Sequence, residues 1–282
     1  MIVLKLLRKY LLEILFGIVF LAGMSLLLYP TVSNWWNERH TTKVVNNYVQ
    51  AVEAMDPSRI DAELVRAQAY NDNLRSDPDR LDPTAGDTMR YMELLNVAGD
   101  GVMGYIEIPS ISVKLAIYHT AEEKYLQIGV GHLEGTSLPI GGPGTNCFLS
   151  GHRGLPSSKL FSDLDKVRIG DIFRITTLGR ILTYQVDQID VVLPDETADA
   201  LAIRSGQDMV TLVTCTPYGV NTHRLLVRGT RIGTIGEADG IVAAGSGDAD
   251  RIEVLLEAAC IAAPAWILFC AAYLIIRRIR NG

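Results

Sequence analysis

The chain has 282 residues, 26 Lys and Arg against 32 Asp and Glu, a formal charge of −6, and 48% hydrophobic residues. Its mean hydropathy of +0.19 excludes an ordinary water-soluble domain and directs attention to membrane segments. The acidic balance excludes nucleic acid as a partner, since such binding depends on Lys and Arg neutralising phosphates.

Residues 1–9 form a short basic start with Lys5, Arg8 and Lys9. Residues 10–29 follow as an apolar run broken only by Glu13. A helix needs about 20 apolar residues to cross the hydrocarbon core, so this run is read as a first transmembrane helix. A cleaved signal peptide has a shorter apolar stretch and a small-residue cleavage site. Tyr29-Pro30-Thr31-Val32 is a poor one, and a retained anchor is expected. Trp35 and Trp36 lie just beyond it, where indoles favour the membrane interface.

Residues 30–100 read as a helical region. Val44, Val45, Tyr48, Val49 and Val52 recur at helical spacing between Trp35 and Met55. Asp56-Pro57 is a restart signal, with Asp as N-cap and Pro at the first helical position, and a second helix is predicted from there to about Leu74. The polar stretch 75–87 contains Asp77-Pro78 and Asp82-Pro83 and reads as an exposed loop.

From Gly101 the texture changes. Short runs rich in Val, Ile, Thr and Tyr alternate with Gly and Pro turns: Tyr105–Ile108, Val113–Tyr118, Asn146–Ser150, Ile172–Thr177, Leu182–Val192, Met209–Thr214 and Leu225–Ile232. Such spacing predicts a mainly β sandwich or barrel over residues 101–232. Residues 233–250 are rich in Gly, Ala and acidic residues and read as a linker. Residues 251–276 contain a second apolar run from Val254 to Ile276, and the tail 277–282 carries Arg277, Arg278 and Arg280. Cations flank both runs on their terminal sides, so the positive-inside rule places both termini in the cytoplasm and the region between the spans outside the cell. Setting those six cations aside takes the charge from −6 to −12.

Of four cysteines, Cys260 and Cys270 fall in the second run and are read as packing residues. Cys147 and Cys215 belong to the exterior domain, which has too few cysteines for a disulfide scaffold. A single Cys147–Cys215 bridge is the alternative, and it would silence the thiol chemistry that follows.

The segment TLVTCTPYGVNTHRLLVRG, Thr211 to Gly229, holds the most chemical information. A β-branched strand runs into Cys215, Pro217 stops it, a turn-rich octet follows, and a second strand begins at Arg224. An antiparallel hairpin would set Cys215 opposite Arg224. A guanidinium there favours the thiolate and can donate to an oxyanion. The same residues also fit a buried, inert cysteine. A cysteine nucleophile needs a proton partner. His40 lies in a helix far from the β region, His119 follows a strand, and His223 adjoins Arg224 and so points to the other face. His152, at a strand end between two glycines, is favoured narrowly over His132. Cys147, five residues before His152, points the other way in a continuous strand and is read as core. Glu134, Arg153 and Asp165 stay unassigned. No His, Cys and carboxylate spacing suggests a metal site, and no cofactor is expected.

The TLVTCTPYG stretch with Arg224 resembles the signature of sortases, and Ser150-Gly-His152-Arg-Gly-Leu-Pro156 resembles that family's histidine segment. The block from Gly131 to Gly142, GHLEGTSLPIGG, and the block from Leu95 to Pro109, LNVAGDGVMGYIEIP, are similar to those of class C, the pilin-polymerising branch. The resemblance implies a closed sortase-type β-barrel, here preceded by two N-terminal helices and flanked by a transmembrane helix at each end. It implies that Cys215 attacks the Thr–Gly bond of an LPXTG-like sorting signal, that Arg224 steadies the oxyanion, and that His152 donates and then accepts the proton. The acyl group would pass to a pilin lysine. The alternatives are a peptidoglycan amine as acceptor, a cysteine hydrolase that uses water, and a non-enzymatic β adhesion module. Class C enzymes also carry a lid with Asp-Pro and an aromatic residue. Asp82-Pro83-Thr84 matches best, with Asp77-Pro78-Asp79 as a rival, and Thr84 in place of the aromatic implies a looser lid or an ordinary turn.

Overall fold

The computed structural model describes residues 2–235. The expected linker after Ile235, the second apolar run and the basic tail lie outside the described residues. The segment up to Trp36 and the body beginning at Asn37 are separate compact units.

Helix α1 is Ile2–Glu53, with Pro30 inside it. The first apolar run and the expected helix at Trp35 are therefore parts of one element. It carries the one helix among the described residues that is long and apolar enough to cross a membrane. Leu15, Ile18, Val19, Leu21, Leu26 and Leu27 are all exposed, and a helix apolar on every side needs lipid or protein around it.

In the second unit the final turns of α1 become amphipathic. Val45, Tyr48 and Val52 are buried. The Tyr48 hydroxyl donates to the Met103 carbonyl at 2.9 Å and accepts from the Leu178 amide at 2.9 Å, and burial pushes its pKa upward. Helix α2, Pro57–Leu74, starts as the sequence predicts: Asp56 caps it by accepting from the Ser58 amide. Its buried Asn71 accepts from the Leu138 amide at 2.7 Å and donates to the Leu138 carbonyl at 3.3 Å, clamping the helix to the barrel.

A third helix corrects the expectation of two. Helix α3, Ala85–Glu93, starts inside the stretch 75–87 read as loop. Thr84 is its N-cap, in a capping box with Asp87, so two orphan backbone donors are satisfied locally.

Eight strands close a barrel: β1 Val102–Ile108, β2 Val113–His119, β3 Val130–His132, β4 Thr145–Ser150, β5 Ile172–Thr177, β6 Arg180–Val192, β7 Asp208–Thr216 and β8 His223–Ile235. Their order round the barrel is β1-β2-β3-β4-β7-β8-β6-β5. The β2–β3 and β4–β7 pairs are parallel and the rest antiparallel. The seven strands predicted from sequence are present. The additional β3 is three residues long and follows a short helix, α4, Glu123–Leu126. The interior is filled by buried residues such as Ile106, Ile117, Leu149, Phe173, Tyr184 and Leu212. Closure leaves no free edge to pair with another chain.

Candidate active site

The site is a matter of register. Strand β7 sits between β4 and β8. On one side Cys215 pairs with Arg224 across the antiparallel β7–β8 ladder. On the other side the parallel ladder runs up to Ser150 opposite Val213. It is extended by the Gly151 amide donating to the Val213 carbonyl at 3.0 Å and by Thr214 Oγ1 donating to the Gly151 carbonyl at 2.8 Å. The next residue after this extension is His152. Cys215 and Arg224 thus share one rung of the β7–β8 ladder, where neighbouring strands lie about 4.8 Å apart, and His152 follows two residues after the end of β4.

Period-two alternation puts Cys215 and Arg224 on the same face as Val213 and Leu226. On that face Thr211 Oγ1 donates to Asn146 Oδ1 at 3.2 Å, and Phe148, Val213 and Leu226 form a hydrophobic cluster separate from the barrel core. Two residues further toward the same end come Cys215 on β7 and Arg224 on β8, while His152 lies four residues beyond Phe148, past the end of β4. A 3₁₀ segment, Pro194–Leu201, borders this outer face, with Ala200 and Leu201 packing on the cluster. It is pinned by Asn146 Nδ2, which donates to the Ala200 and Ala202 carbonyls at 2.8 and 3.1 Å. A cavity of about 370 Å³ opens there, lined by Asn146, Thr211, Met209, Leu226, Arg228 and Ala200 among others.

Cys215 is a free, half-buried thiol, and Cys147 is free and buried, so no bridge joins them. Burial raises the Cys147 pKa well above the ordinary thiol range, in keeping with a core role. The Arg224 guanidinium donates to the carbonyl of Asn221, in the turn that joins β7 to β8, at 3.4 Å and to that of His223, the first residue of β8, at 3.2 Å. His223, opposite Thr216, turns instead to the Thr222 hydroxyl.

The segment after His152 is tightly bound. The Phe161 amide donates to the His152 carbonyl at 3.1 Å. A Cβ on Gly151 would lie 2.6 Å from the buried Phe161 ring, so only glycine lets the chain pass. Arg153, left unassigned from sequence, donates to Thr216 Oγ1 at 3.1 Å and to Asp165 Oδ2 at 2.5 Å. Its side chain is 7% exposed, and it ties this segment to the residue after Cys215. The His152 ring is met by Glu123 of α4, with Nε2 3.0 Å from Oε2. Nothing in the sequence marks Glu123, because its contact with His152 exists only once the barrel has closed.

The two other β-domain histidines considered from sequence lie elsewhere. His132 is fully buried. Its Nδ1 meets the Tyr91 hydroxyl at 2.9 Å and its Nε2 meets the Ser137 carbonyl at 2.8 Å. His119, also buried, meets the Gly101 and Leu94 carbonyls at 2.9 and 2.7 Å. Burial holds both imidazoles below their ordinary pKa, His132 at about 4. They clasp α3 to the barrel through Tyr91.

Asp82, Pro83 and Thr84 are not brought onto the rung. Thr84 spends its hydroxyl on capping α3. Among the described residues no hydrogen bond or ion pair joins Asp82 to Arg224. The preceding Arg80 instead donates to the Gly135 and Leu201 carbonyls at 2.6 and 2.9 Å, which lays this segment along the flank of the outer face. Among the described residues no group of three or more His, Cys, Asp or Glu is arranged to hold a metal ion.

Comparison with known proteins identifies the family. The sortase domain family model matches residues 106–232. The structure is similar to that of sortase C1 from Streptococcus agalactiae, with 49% identity over 68% of this chain and 98% of that one, and a TM-score of 0.66. It is also similar to sortase C from Streptococcus pneumoniae, with 40% identity over 68% of this chain and 98% of that one, and a TM-score of 0.60. Sortase A from Bacillus anthracis is 27% identical over 219 residues, 77% of this chain and 92% of that protein. The fold and these likenesses lead to one statement: the chain belongs to the sortase family of cysteine transpeptidases, in its class C branch.

Proposed function

We propose that this protein is a membrane-tethered, pilin-polymerising transpeptidase whose reaction is carried by Cys215, His152 and Arg224. The observation that carries the reading is the β7–β8 register, which pairs Cys215 with Arg224, and it is supported by His152 following the end of β4, the strand on the other side of β7. In the first half-reaction the Cys215 thiolate attacks the carbonyl carbon of Thr in an LPXTG-like signal. Charge builds on the carbonyl oxygen, where Arg224 can donate hydrogen bonds. The C–N bond to Gly breaks, the amine takes a proton from His152, and a thioester remains on Cys215. In the second half-reaction an amine attacks the thioester, gives a proton back to His152, and releases the thiolate as the new amide forms.

The acceptor in this reading is a pilin lysine, so the product is an isopeptide bond between subunits. Support comes from the class C likeness and from the S. pneumoniae sortase C, whose structure bears on pilin substrate specificity. The sorting signal would lie along the outer face beside Phe148, Val213 and Leu226, under the Pro194–Leu201 segment. The domain would stand on the outer side of the membrane, with a second span following the linker.

Mass spectrometry of the protein mixed with a sorting-signal peptide tests the first half: a thioester adduct on Cys215, absent in Cys215→Ala, is expected. A pilin substrate tests the second. Ladders on a denaturing gel are expected; single-copy attachment would point to a peptidoglycan amine instead, and release of peptide without an amine would point to a hydrolase.

A further inference from the structure

The His152 ring is bonded to one side chain among the described residues, and that side chain is a carboxylate. Glu123 Oε2 lies 3.0 Å from Nε2. The other carboxylate oxygen accepts from the Gln127 side chain, so both oxygens are occupied and the group is oriented. Hydrogen bonds from Gln127 and then from His152 hold the Glu123 carboxyl below the usual carboxylate range, and it stays charged at neutral pH. The short helix α4 that presents it is itself fixed. Tyr125 stacks on Tyr118 of β2 with ring centroids 4.9 Å apart and planes 17° from parallel, and the Glu122 carbonyl accepts from the Tyr125 and Leu126 amides. The His152 carbonyl accepts from the Phe161 amide. Its neighbour Arg153 turns away to Thr216 and Asp165.

We propose that Glu123 is a positioning residue for His152: its carboxylate accepts the Nε2 proton, fixes the ring plane, and leaves Nδ1 as the nitrogen that exchanges protons with the leaving and attacking amines. A carboxylate on the far nitrogen selects one tautomer and stabilises the imidazolium that forms when the ring takes up the substrate proton. The Glu123 side chain is 67% exposed, and an exposed ion pair adds little to folding stability. Its effect on turnover is therefore separable from any effect on the fold. The inference rests on His152 being the proton-transfer group.

The test uses the full chain in detergent micelles, with a Leu-Pro-X-Thr-Gly peptide as donor and hydroxylamine as acceptor. Glu123→Gln is expected to lower kcat about three- to tenfold, with KM and the thermal unfolding midpoint unchanged. The side-chain ¹⁵N spectrum of His152, assigned by its loss in His152→Ala and recorded at a pH high enough for the ring to be neutral, is expected to show the Nε2–H tautomer in the parent and a mixture in Glu123→Gln. An unchanged kcat in Glu123→Gln, with His152→Ala inactive, overturns the inference. A lower kcat with an unchanged tautomer overturns it too, since the loss would then be structural. Full activity in His152→Ala would instead sink the underlying assignment of His152.

Discussion

Acidification should loosen the barrel through one buried imidazole. His132 is fully buried between the Tyr91 hydroxyl and the Ser137 carbonyl, and burial holds its pKa at about 4 against an ordinary 6.5. Above pH 6.5 the ring is neutral in both folded and unfolded chains, and the folded state keeps its full stability. As pH falls below 6.5 the unfolded chain takes up a proton that the folded chain refuses until about pH 4. Stability is therefore lost across that window at about 1.4 kcal/mol per pH unit, which amounts to about 3 kcal/mol in total. The comparison variant is His132→Gln, whose amide stays uncharged and can still donate to the Ser137 carbonyl. Urea unfolding of both proteins, followed by circular dichroism at pH 7, 6, 5 and 4, gives the difference in stability at each pH. His119 is displaced in the same direction, but it is present in both proteins and largely cancels. The parent is expected to lose about 3 kcal/mol relative to the variant between pH 7 and pH 4. A difference that stays flat, or that favours the parent as pH falls, would refute the claim that His132 is buried in its neutral form.

Other perturbations have outcomes of similar definition. Asp208 accepts from the Gly142 amide at 2.8 Å, the Tyr184 hydroxyl at 3.0 Å and Arg231 at 3.2 Å, with both charged side chains 15% exposed. Asp208→Ala should cost about 3 kcal/mol or more, because removing one partner of a buried pair leaves the others without an acceptor, and a lowered Tm would show it. Gly151→Ala forces a methyl into the Phe161 ring. About 1–3 kcal/mol of strain is expected, together with a fall in transpeptidation greater than tenfold as the His152 segment shifts. Asp56→Ala removes the α2 cap and should cost about 1 kcal/mol while leaving turnover unchanged. A small thiol reagent should label Cys215 in the folded protein and spare Cys147, which peptide mapping of the labelled chain resolves.

Local signals carried most of the fold. β-branched runs between Gly and Pro turns located seven strands, and Asp56-Pro57 located the start of α2. The hairpin spacing around Cys215 predicted Arg224 as its cross-strand partner, and the ladder has that register. Failures came where tertiary context decides. Strand β3 is too short to show periodicity and forms because β2 and β4 offer it backbone partners. Helix α3 was hidden by Asp82-Pro83, whose turn character is real, while the Thr84–Asp87 capping box beside it restarts the helix. From residues alone His152 led His132 only narrowly, because what separates them is a parallel pairing of distant strands and a burial that no short window reveals. Glu123 was invisible for the same reason.

The parallel β4–β7 ladder makes the reactive centre a report on assembly. In the proposed mechanism a slip of one residue between those strands would turn Phe148 off the outer face and carry the His152 segment away from the thiol it serves. A misregistered molecule would then be inert rather than partly active. Counting acyl-enzyme formed per mole of chain would thus measure the fraction of barrels that closed correctly, a quantity that bulk secondary-structure content cannot supply.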